Sequence, residues 1–272
     1  MAGHPVDSHL ARIGLERTDI ETGGEGLARL QRAHMAAVPF ENLDIALGDG
    51  VPHDVDLALE RILGGRRGGW CFALNSTFAL LLEALGFDVV LLGAAVLLDG
   101  PSTTIDHLAL EVAGGEGDLV PHLVDVGFGD SFDIPLALND RSPQDGGPAR
   151  FQLIDGTHGT TLTEIVDDVP AARYRFKRVA HRFSQFAPVA ERLQTDPDLH
   201  WSMKPFATRL LDPSSSDRVT LTRDRLELRR GSTEIVEDVA ARDWDDALAE
   251  WFGITPPPGG WRRAPGVADA RG

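Results

Sequence analysis

The hydrophobic period of this chain changes from helical to strand-like after Gly86, and that change limits the folds open to it. Up to Gly86, apolar residues recur at helical spacing. VDSHLARIGL sets Val6, Leu10 and Ile13 on one face, and GEGLARLQRAHMAAV sets Leu27, Leu30 and Met35 on a similar face before Pro39 ends it. LALERIL, Leu57 to Leu63, predicts a third short helix. CFALNSTFALLLEALG predicts a fourth, apolar almost all round and so expected to be buried, with Gly86 as its stop. After it, FDVVLLGAAVLL, HLALEVA, HLVDVGF, ARFQLI and TTLTEIV are rich in Val, Leu, Ile and Thr. The turn clusters DGPSTT, GGEGD, NDRSPQDGGP and DGTHG separate them. Runs of this kind predict an antiparallel sheet or small barrel. The last third is mixed. PVAERLQTD reads as helix, RVTLTRDRLELRR as a hairpin, and AARDWDDALAEWFG as an amphipathic helix that turns Trp244, Leu248 and Trp251 to a core, whereas TPPPGGWRRAPGVADARG reads as a loose tail. This order differs from the βαβ alternation of a doubly wound fold. With no GxGxxG after a strand and no Walker-type loop, nicotinamide and nucleoside-triphosphate sites find little support.

At 272 residues the chain is long enough to bury more than one core. No apolar run approaches the ~20 residues of a membrane-spanning helix, and the N-terminal MAGHPVDSHL lacks the pattern of a signal peptide. One cysteine makes neither an internal disulfide nor a cysteine metal cluster, so no metal is expected and a reducing, cytoplasmic setting is. The net charge of −16 argues against nucleic-acid or anionic-membrane partners.

That one cysteine, Cys71, stands in RRGGWCFALN, at the predicted start of the fourth helix and behind Gly68, Gly69 and Trp70. A lone cysteine is most often a small buried hydrophobe. Here the unpaired N–H groups and positive end of a helix favour the thiolate, as do Arg66 and Arg67 if they point inward. A thiol nucleophile needs a base, and the base an orienting group. Of nine histidines most lie in polar or loop contexts, such as His4, His53 and His158, where a solvated role is the default. His107 differs, because it opens the strand-like HLALEV directly after a turn cluster; a locally bonded strand-end histidine and a cleft-facing base are equally compatible with that pattern. Asp125 interrupts the apolar run HLVDVGFG. Buried unpaired, its carboxylate would cost several kcal/mol, so a partner is expected, and a histidine on a neighbouring strand would serve. The plainer alternative is an aspartate capping a turn at Gly127. In VPFENLD, Glu41 is placed to pair with Arg67 and brace the loop in front of Cys71; the alternative is an ordinary surface loop.

Taken together these segments resemble the arylamine N-acetyltransferases. RGGWCFALN resembles that family's cysteine motif, VPFENLD its Pro-Phe-Glu-Asn-Leu segment, DHLALEV its histidine strand and LVDVGFGD its Asp-Val-Gly-Phe-Gly segment. KPFATRLL and LAEWFGI are looser matches. The resemblance implies an α+β fold with a cysteine-protease-like core: a helical bundle over residues 1–86, a β-barrel over 87–186 and an α/β lid with the tail over 187–272. It also implies a triad of Cys71, His107 and Asp125, and an acceptor pocket lined by Phe40 and Phe128. Acetyl-CoA would serve as co-substrate, with no permanently bound cofactor, and an aromatic amine or hydrazine would accept the acetyl group in a ping-pong reaction.

Three departures stand out. Ala73 occupies a position where the family usually has Glu, Asp106 precedes His107 where Thr is more usual, and Trp70 replaces Tyr or Phe. An amide synthase acting on a carrier-bound polyketide chain is the nearest alternative, followed by a thiol hydrolase and then a non-enzymatic binding protein.

Overall fold

The computed structural model describes residues 5–20, 23–48, 50–114, 119–196, 199 and 204–261. The first segment is helical: α1 (Val6–Arg12), α2 (Gly24–Ala37), α3 (Leu43–Ala46), α4 (Val55–Leu63) and α5 (Cys71–Ala84). The sequence accounts for their ends. Pro39 follows the end of α2, Asp54 caps α4 by accepting from the Leu57 N–H at 3.0 Å, and α5 stops just before Gly86. α5 is the buried helix expected from its composition: Phe72, Leu74, Phe78, Leu81 and Leu82 are all closed off from solvent. They form one core with Leu10 of α1, Leu27 and Leu30 of α2 and Ile62 of α4.

The segment that follows builds an antiparallel sheet from β2 (Phe87–Val96), β3 (His107–Gly114), β4 (Leu119–Val124), β5 (Leu136–Ala137), β6 (Gln144–Asp145), β7 (Arg150–Gly156), β8 (Gly159–Val166) and β9 (Val169–His181). The strand order is β5-β4-β3-β2-β9-β8-β7-β6. Its two edges, β5 and β6, are joined by a side chain: Gln144 accepts from the Ala137 N–H at 2.7 Å and donates to the Ala137 carbonyl at 3.1 Å. The sheet is thus a nearly closed barrel, and the amide of Gln144 satisfies backbone groups an open edge would leave unpaired. Alternation along the strands fixes which residues face which core. Leu108, Leu110 and Val112 of β3 pack with the helical core, whereas Ala109 faces the barrel interior with Leu92, Ala94, Phe151, Leu162 and Tyr174. His107 has the parity of Ala109 and sits where β3 begins, at the mouth of the barrel.

The last segment contributes α6 (Ala187–Thr195), strands β10 (Ala207–Leu210), β11 (Arg218–Leu221), β12 (Arg225–Arg230) and β13 (Thr233–Asp238), and α7 (Trp244–Phe252). The β11–β12 hairpin and the amphipathic α7 lie where the pattern puts them. The edge of this second sheet comes from elsewhere: β1 (Phe40–Glu41) pairs antiparallel with β10, with Phe40 opposite Thr208. Leu43, Ala46 and Leu47 then pack into the core built by Val219, Trp244 and Leu248. VPFENLD is therefore no ordinary surface loop; it is the stitch between the helices and the C-terminal layer. Asp130, at the end of the DVGFGD segment, ties the barrel to the same layer. Arg229 binds both its oxygens, at 2.8 and 2.7 Å, and Arg218 approaches to 3.4 Å. Burial raises the Asp130 pKa, but these arginines outweigh it and hold the carboxyl below its ordinary value.

One expectation needs correction. The stretch from Thr255 reads as a loose tail, yet up to Trp261 it is docked. The Trp261 ring meets Trp244 edge-on at 6.4 Å, lies 5.9 Å from the Arg67 guanidinium, and donates its indole N–H to Asp245 at 3.0 Å. A single aromatic anchor overrides the loop-like composition of TPPPGG. Residues 262–272 lie outside the described residues. Among the described residues no helix is long and apolar enough to cross a membrane, and no group of three or more His, Cys, Asp or Glu is placed to hold a metal ion.

Candidate active site

Cys71 is the first residue of α5, and no side chain caps that helix end. Its position is set by the two glycines before it. A Cβ on Gly68 would collide with the Pro39 carbonyl, so glycine alone permits the approach. With it in place, the two segments zip together: the Gly69 N–H donates to Pro39 O at 3.2 Å and the Glu41 N–H to Gly69 O at 2.9 Å. Arg67 then donates to Glu41 Oε1 at 2.9 Å and reaches Asp44 at 3.3 Å, with the Glu41 side chain almost wholly buried. Burial alone would lower the Arg67 pKa, but Glu41 and Asp44 raise it on balance, so the guanidinium stays charged. Glu41 Oε2 also accepts from the Leu43 N–H at 2.8 Å. The loop before Cys71 is held by backbone bonds and a buried ion pair together.

Opposite Cys71 stands His107. The side chains of Cys71, His107 and Asp125 are all buried. His107 Nε2 lies 2.7 Å from Asp125 Oδ2, which leaves Nδ1 as the ring nitrogen not bound by the carboxylate, and the Cys71 thiol helps raise the imidazole pKa. Three elements remote in sequence, the start of α5, the start of β3 and the end of β4, thereby bring sulfur, imidazole and carboxylate into one line. Burial works against a charge on His107. Asp125 and Cys71 more than offset it, and the imidazole pKa is pushed up to about 10. A buried histidine in this state is an imidazolium at neutral pH. The ring is fixed on its other faces by Phe128 at 5.2 Å and Tyr174 at 5.1 Å between centroids.

Asp125 lies one residue beyond β4, not inside a strand, and it carries both duties that the sequence offered as alternatives. Oδ1 caps the turn by accepting from the Gly127 N–H at 2.9 Å, while Oδ2 holds His107. A further residue, absent from the sequence-based expectations, completes it. Asn75 donates to Asp125 Oδ1 at 2.9 Å and to Leu108 O at 2.6 Å, and accepts from the Val126 N–H at 3.0 Å. The Asn75 side chain thus binds the helix of Cys71, the strand of His107 and the turn of Asp125 to one another. Gly127 packs directly on this arrangement; a Cβ there would fall 2.7 Å from Cys71 Cα and 2.8 Å from Asn75 Nδ2. The Tyr174 hydroxyl is buried beside Asp125 without a well-formed hydrogen bond; burial first, then the Asp125 charge, hold its pKa well above the ordinary phenol value.

A cleft of about 520 Å³ opens in front of Cys71, walled by Phe40, Trp70, Val96, Leu98, Phe128 and Leu193, with Asp99, Asp106 and His107 among its described ionisable groups. Both aromatic residues expected at an acceptor pocket, Phe40 and Phe128, line it. The Arg173 guanidinium lies 5.6 Å from the centre of the Phe128 ring and donates to the Asp130 carbonyl. Asp106 turns one oxygen back to the Val96 N–H at 2.9 Å. Burial raises its pKa, against the Val96 amide, His107 and Arg192, which pull it down. Ala73 faces away from the cleft, into a second cavity bordered by Glu41, Asp44 and Arg61. Glu41 and Asp44, on the border of the same cavity, both pair with Arg67.

Outside the cleft, His53 corrects the default of a solvated role. It stacks on Phe183 at 4.0 Å, with Nε2 2.9 Å from the Phe183 carbonyl, so aromatic packing holds it where local polarity suggested solvent. His34, on α2, is fully buried in the helical core. His158 is exposed, and His4 lies outside the described residues.

Residues 25–256 match the N-acetyltransferase family. A pineal-gland arylamine N-acetyltransferase of Gallus gallus, NAT-3, is 33% identical over 170 residues, which is 59% of this chain and 56% of that protein. Arylamine N-acetyltransferase 1 of Bos taurus is 30% identical over 165 residues, again 59% and 56%. The aligned part of this chain therefore spans a little over half the length of these relatives. Among solved structures, the Mycobacterium marinum arylamine N-acetyltransferase in complex with CoA superposes with a TM-score of 0.83 and 28% identity, covering 92% of each chain. The Salmonella typhimurium enzyme shares the fold, with a TM-score of 0.84 at 24% identity over 98% of this chain and 93% of its own.

Proposed function

The chain belongs to the arylamine N-acetyltransferase family, and from that premise we propose that it moves an acetyl group from acetyl-CoA to an aromatic amine or hydrazine through an acetyl-cysteine at Cys71. The observation that carries the reading is the line from Asp125 through His107 to Cys71 at the start of α5. In the first half-reaction the Cys71 thiolate attacks the thioester carbonyl. A new carbon–sulfur bond forms, the bond to the CoA sulfur breaks, and the His107 imidazolium gives its proton to the departing thiolate. In the second, the amine nitrogen attacks the acetyl-cysteine, the neutral imidazole takes the amine proton, and Cys71 leaves as thiolate. The imidazolium–thiolate pair is thereby restored. Asp125 fixes the tautomer, since its bond to Nε2 leaves Nδ1 as the nitrogen that trades protons. The free N–H groups of the first turn of α5 are the natural partners of the tetrahedral oxyanion.

The CoA complex of the M. marinum relative supports CoA as the donor's carrier. Phe40 and Phe128 offer flat apolar surface for an aryl ring, and the pair Glu41–Arg67 braces the cysteine loop. Intact mass spectrometry after mixing with acetyl-CoA tests the reading. One acetyl group is expected on the wild type, none on Cys71→Ala, and its loss on adding an arylamine, with the acetylated amine as product. A wild type that stays unmodified, or an adduct that persists on Cys71→Ala, defeats it.

A further inference from the structure

We propose that the cleft before Cys71 selects acceptors that carry no negative charge, and that Asp106 is the residue that sets this preference. The inference rests on the acyl-transfer reading above and narrows its acceptor class. It starts from the inventory of charge around the cleft. Asp106 forms part of the wall next to His107 in sequence and in space, and Asp99 stands exposed on the rim. No arginine or lysine is among the described lining residues. Among those residues the cationic group is His107, which is bound to Asp125 and interacts with Cys71. The nearby arginines have carbonyl or carboxylate partners or lie in solvent. Arg173, 5.6 Å from the centre of the Phe128 ring, donates to the Asp130 carbonyl and pairs with Glu164 at 3.4 Å; Arg175 donates to the Ser102 carbonyl; Arg192 is exposed on α6, where it acts on Asp106 itself.

An aromatic acceptor reaching Cys71 enters the cleft that Phe40, Phe128, Asp99 and Asp106 line. A carboxylate on its ring is brought near two carboxylates, with no arginine or lysine among the described lining residues to receive it. The surrounding walls are apolar, so the repulsion is screened less than it would be at an open surface. A neutral amide, ester or hydrazide of the same shape escapes it. The preferred acceptors are accordingly neutral arylamines and hydrazides, with aminobenzoates disfavoured.

The test compares 4-aminobenzoate with 4-aminobenzamide, both acetylated from acetyl-CoA, in wild type and in Asp106→Asn. Asparagine keeps an oxygen for the Val96 N–H and removes only the charge. Intrinsic reactivity of the two amines cancels when the ratio of their kcat/KM values is compared between the proteins. We expect the preference for the amide to shrink about tenfold in Asp106→Asn, and by about twofold in Asp99→Asn, whose charge is solvent-screened. In the wild type, added salt is expected to raise kcat/KM for the carboxylate and leave the amide unchanged. An unaltered ratio in Asp106→Asn overturns the inference. Should that variant fail to fold, the salt series on the wild type decides, and equal salt response of both acceptors overturns it. If the acetyl-enzyme forms and the amide is turned over while the ratio stays put, only this inference fails. If neither acceptor is acetylated, the acyl-transfer reading itself has failed and this one falls with it.

Discussion

His107 and His34 are both buried to the last few per cent, yet their environments drive them in opposite directions. His107, at the barrel mouth, faces the Asp125 carboxylate at 2.7 Å and the Cys71 sulfur, and its pKa rises to about 10. His34, in the last turn of α2, packs on Phe78 at 4.9 Å and His9 at 5.7 Å, and neither of its ring nitrogens has a hydrogen-bond partner. Burial, then the charges of His9 and Arg12, hold its pKa well below the ordinary value. Burial by itself always favours the neutral ring. What separates the two rings is what faces the first, the Asp125 carboxylate and the Cys71 sulfur. Titration of both imidazoles by NMR should show it directly: His107 protonated at neutral pH and releasing its proton near 10, His34 neutral at pH 6.

Removing that carboxylate is the largest perturbation. Asp125→Asn retains the shape but takes away the charge that outweighs burial at His107. The imidazole pKa should fall and the preferred tautomer should change. We expect kcat to drop by about 10³–10⁴-fold, the size of effect seen when a triad aspartate is replaced this way. Stability should respond with a definite sign. A raised folded-state pKa contributes stability that is complete below the unfolded value of ~6.5 and is lost as the pH rises through about 10. The variant should lack this alkaline decline. A variant with wild-type kcat, or with His107 still titrating near 10, breaks the comparison.

A smaller effect is expected one step removed. Asn75 touches no substrate; it positions Asp125, with His107 and Gly127 as the other donors to that carboxylate. Asn75→Ala should cost about 10–100-fold in kcat, the equivalent of one hydrogen bond to a charged group, with the His107 pKa lowered less than in Asp125→Asn. A purely structural role would reduce thermal stability and leave the His107 titration where it was.

Much of this arrangement can be read in the chain. Cys71 announces itself by standing at a helix start behind two glycines, His107 by opening a strand, Asp125 by interrupting an apolar run. What cannot be read shares one physical trait: it depends on partners distant in sequence. Asn75 stands in a polar triplet, Asn75-Ser76-Thr77, inside a helix that is otherwise apolar up to Glu83, and all three are buried. Ser76 and Thr77 merely bond back to carbonyls of their own helix, whereas Asn75 reaches across to two other elements. Its one local clue was the spacing of four from Cys71, which puts both on the same helical face. The two-residue strands β1, β5 and β6 are too short for any periodicity. β1 is defined by β10, more than 160 positions away, and the β5–β6 seam by the side chain of Gln144. Trp261 likewise looks like tail until Trp244 and Arg67 are placed beside it.

The smallest expected effect sharpens the comparison from its other side. His34 is neutral in the folded protein and would gain a proton on unfolding in mild acid. For a base whose folded pKa is depressed, the unfolded state binds more protons, so stability is complete above about pH 6.5 and declines as the pH falls below it. The limiting slope for one such group is about 1.4 kcal/mol per pH unit, and it ends where the folded ring itself protonates. His9 lies against His34, and its charge and that of Arg12 add to burial in keeping the His34 ring neutral. His34→Leu fills a similar volume, removes two unpartnered ring nitrogens and deletes the titration. Urea midpoints measured between pH 5 and 8 should therefore fall less steeply below 6.5 in the variant than in the wild type, with the two proteins within about 1 kcal/mol at pH 8. Parallel curves would mean that His34 is charged or compensated in the folded protein, and that burial with and without a carboxylate does not separate the two histidines.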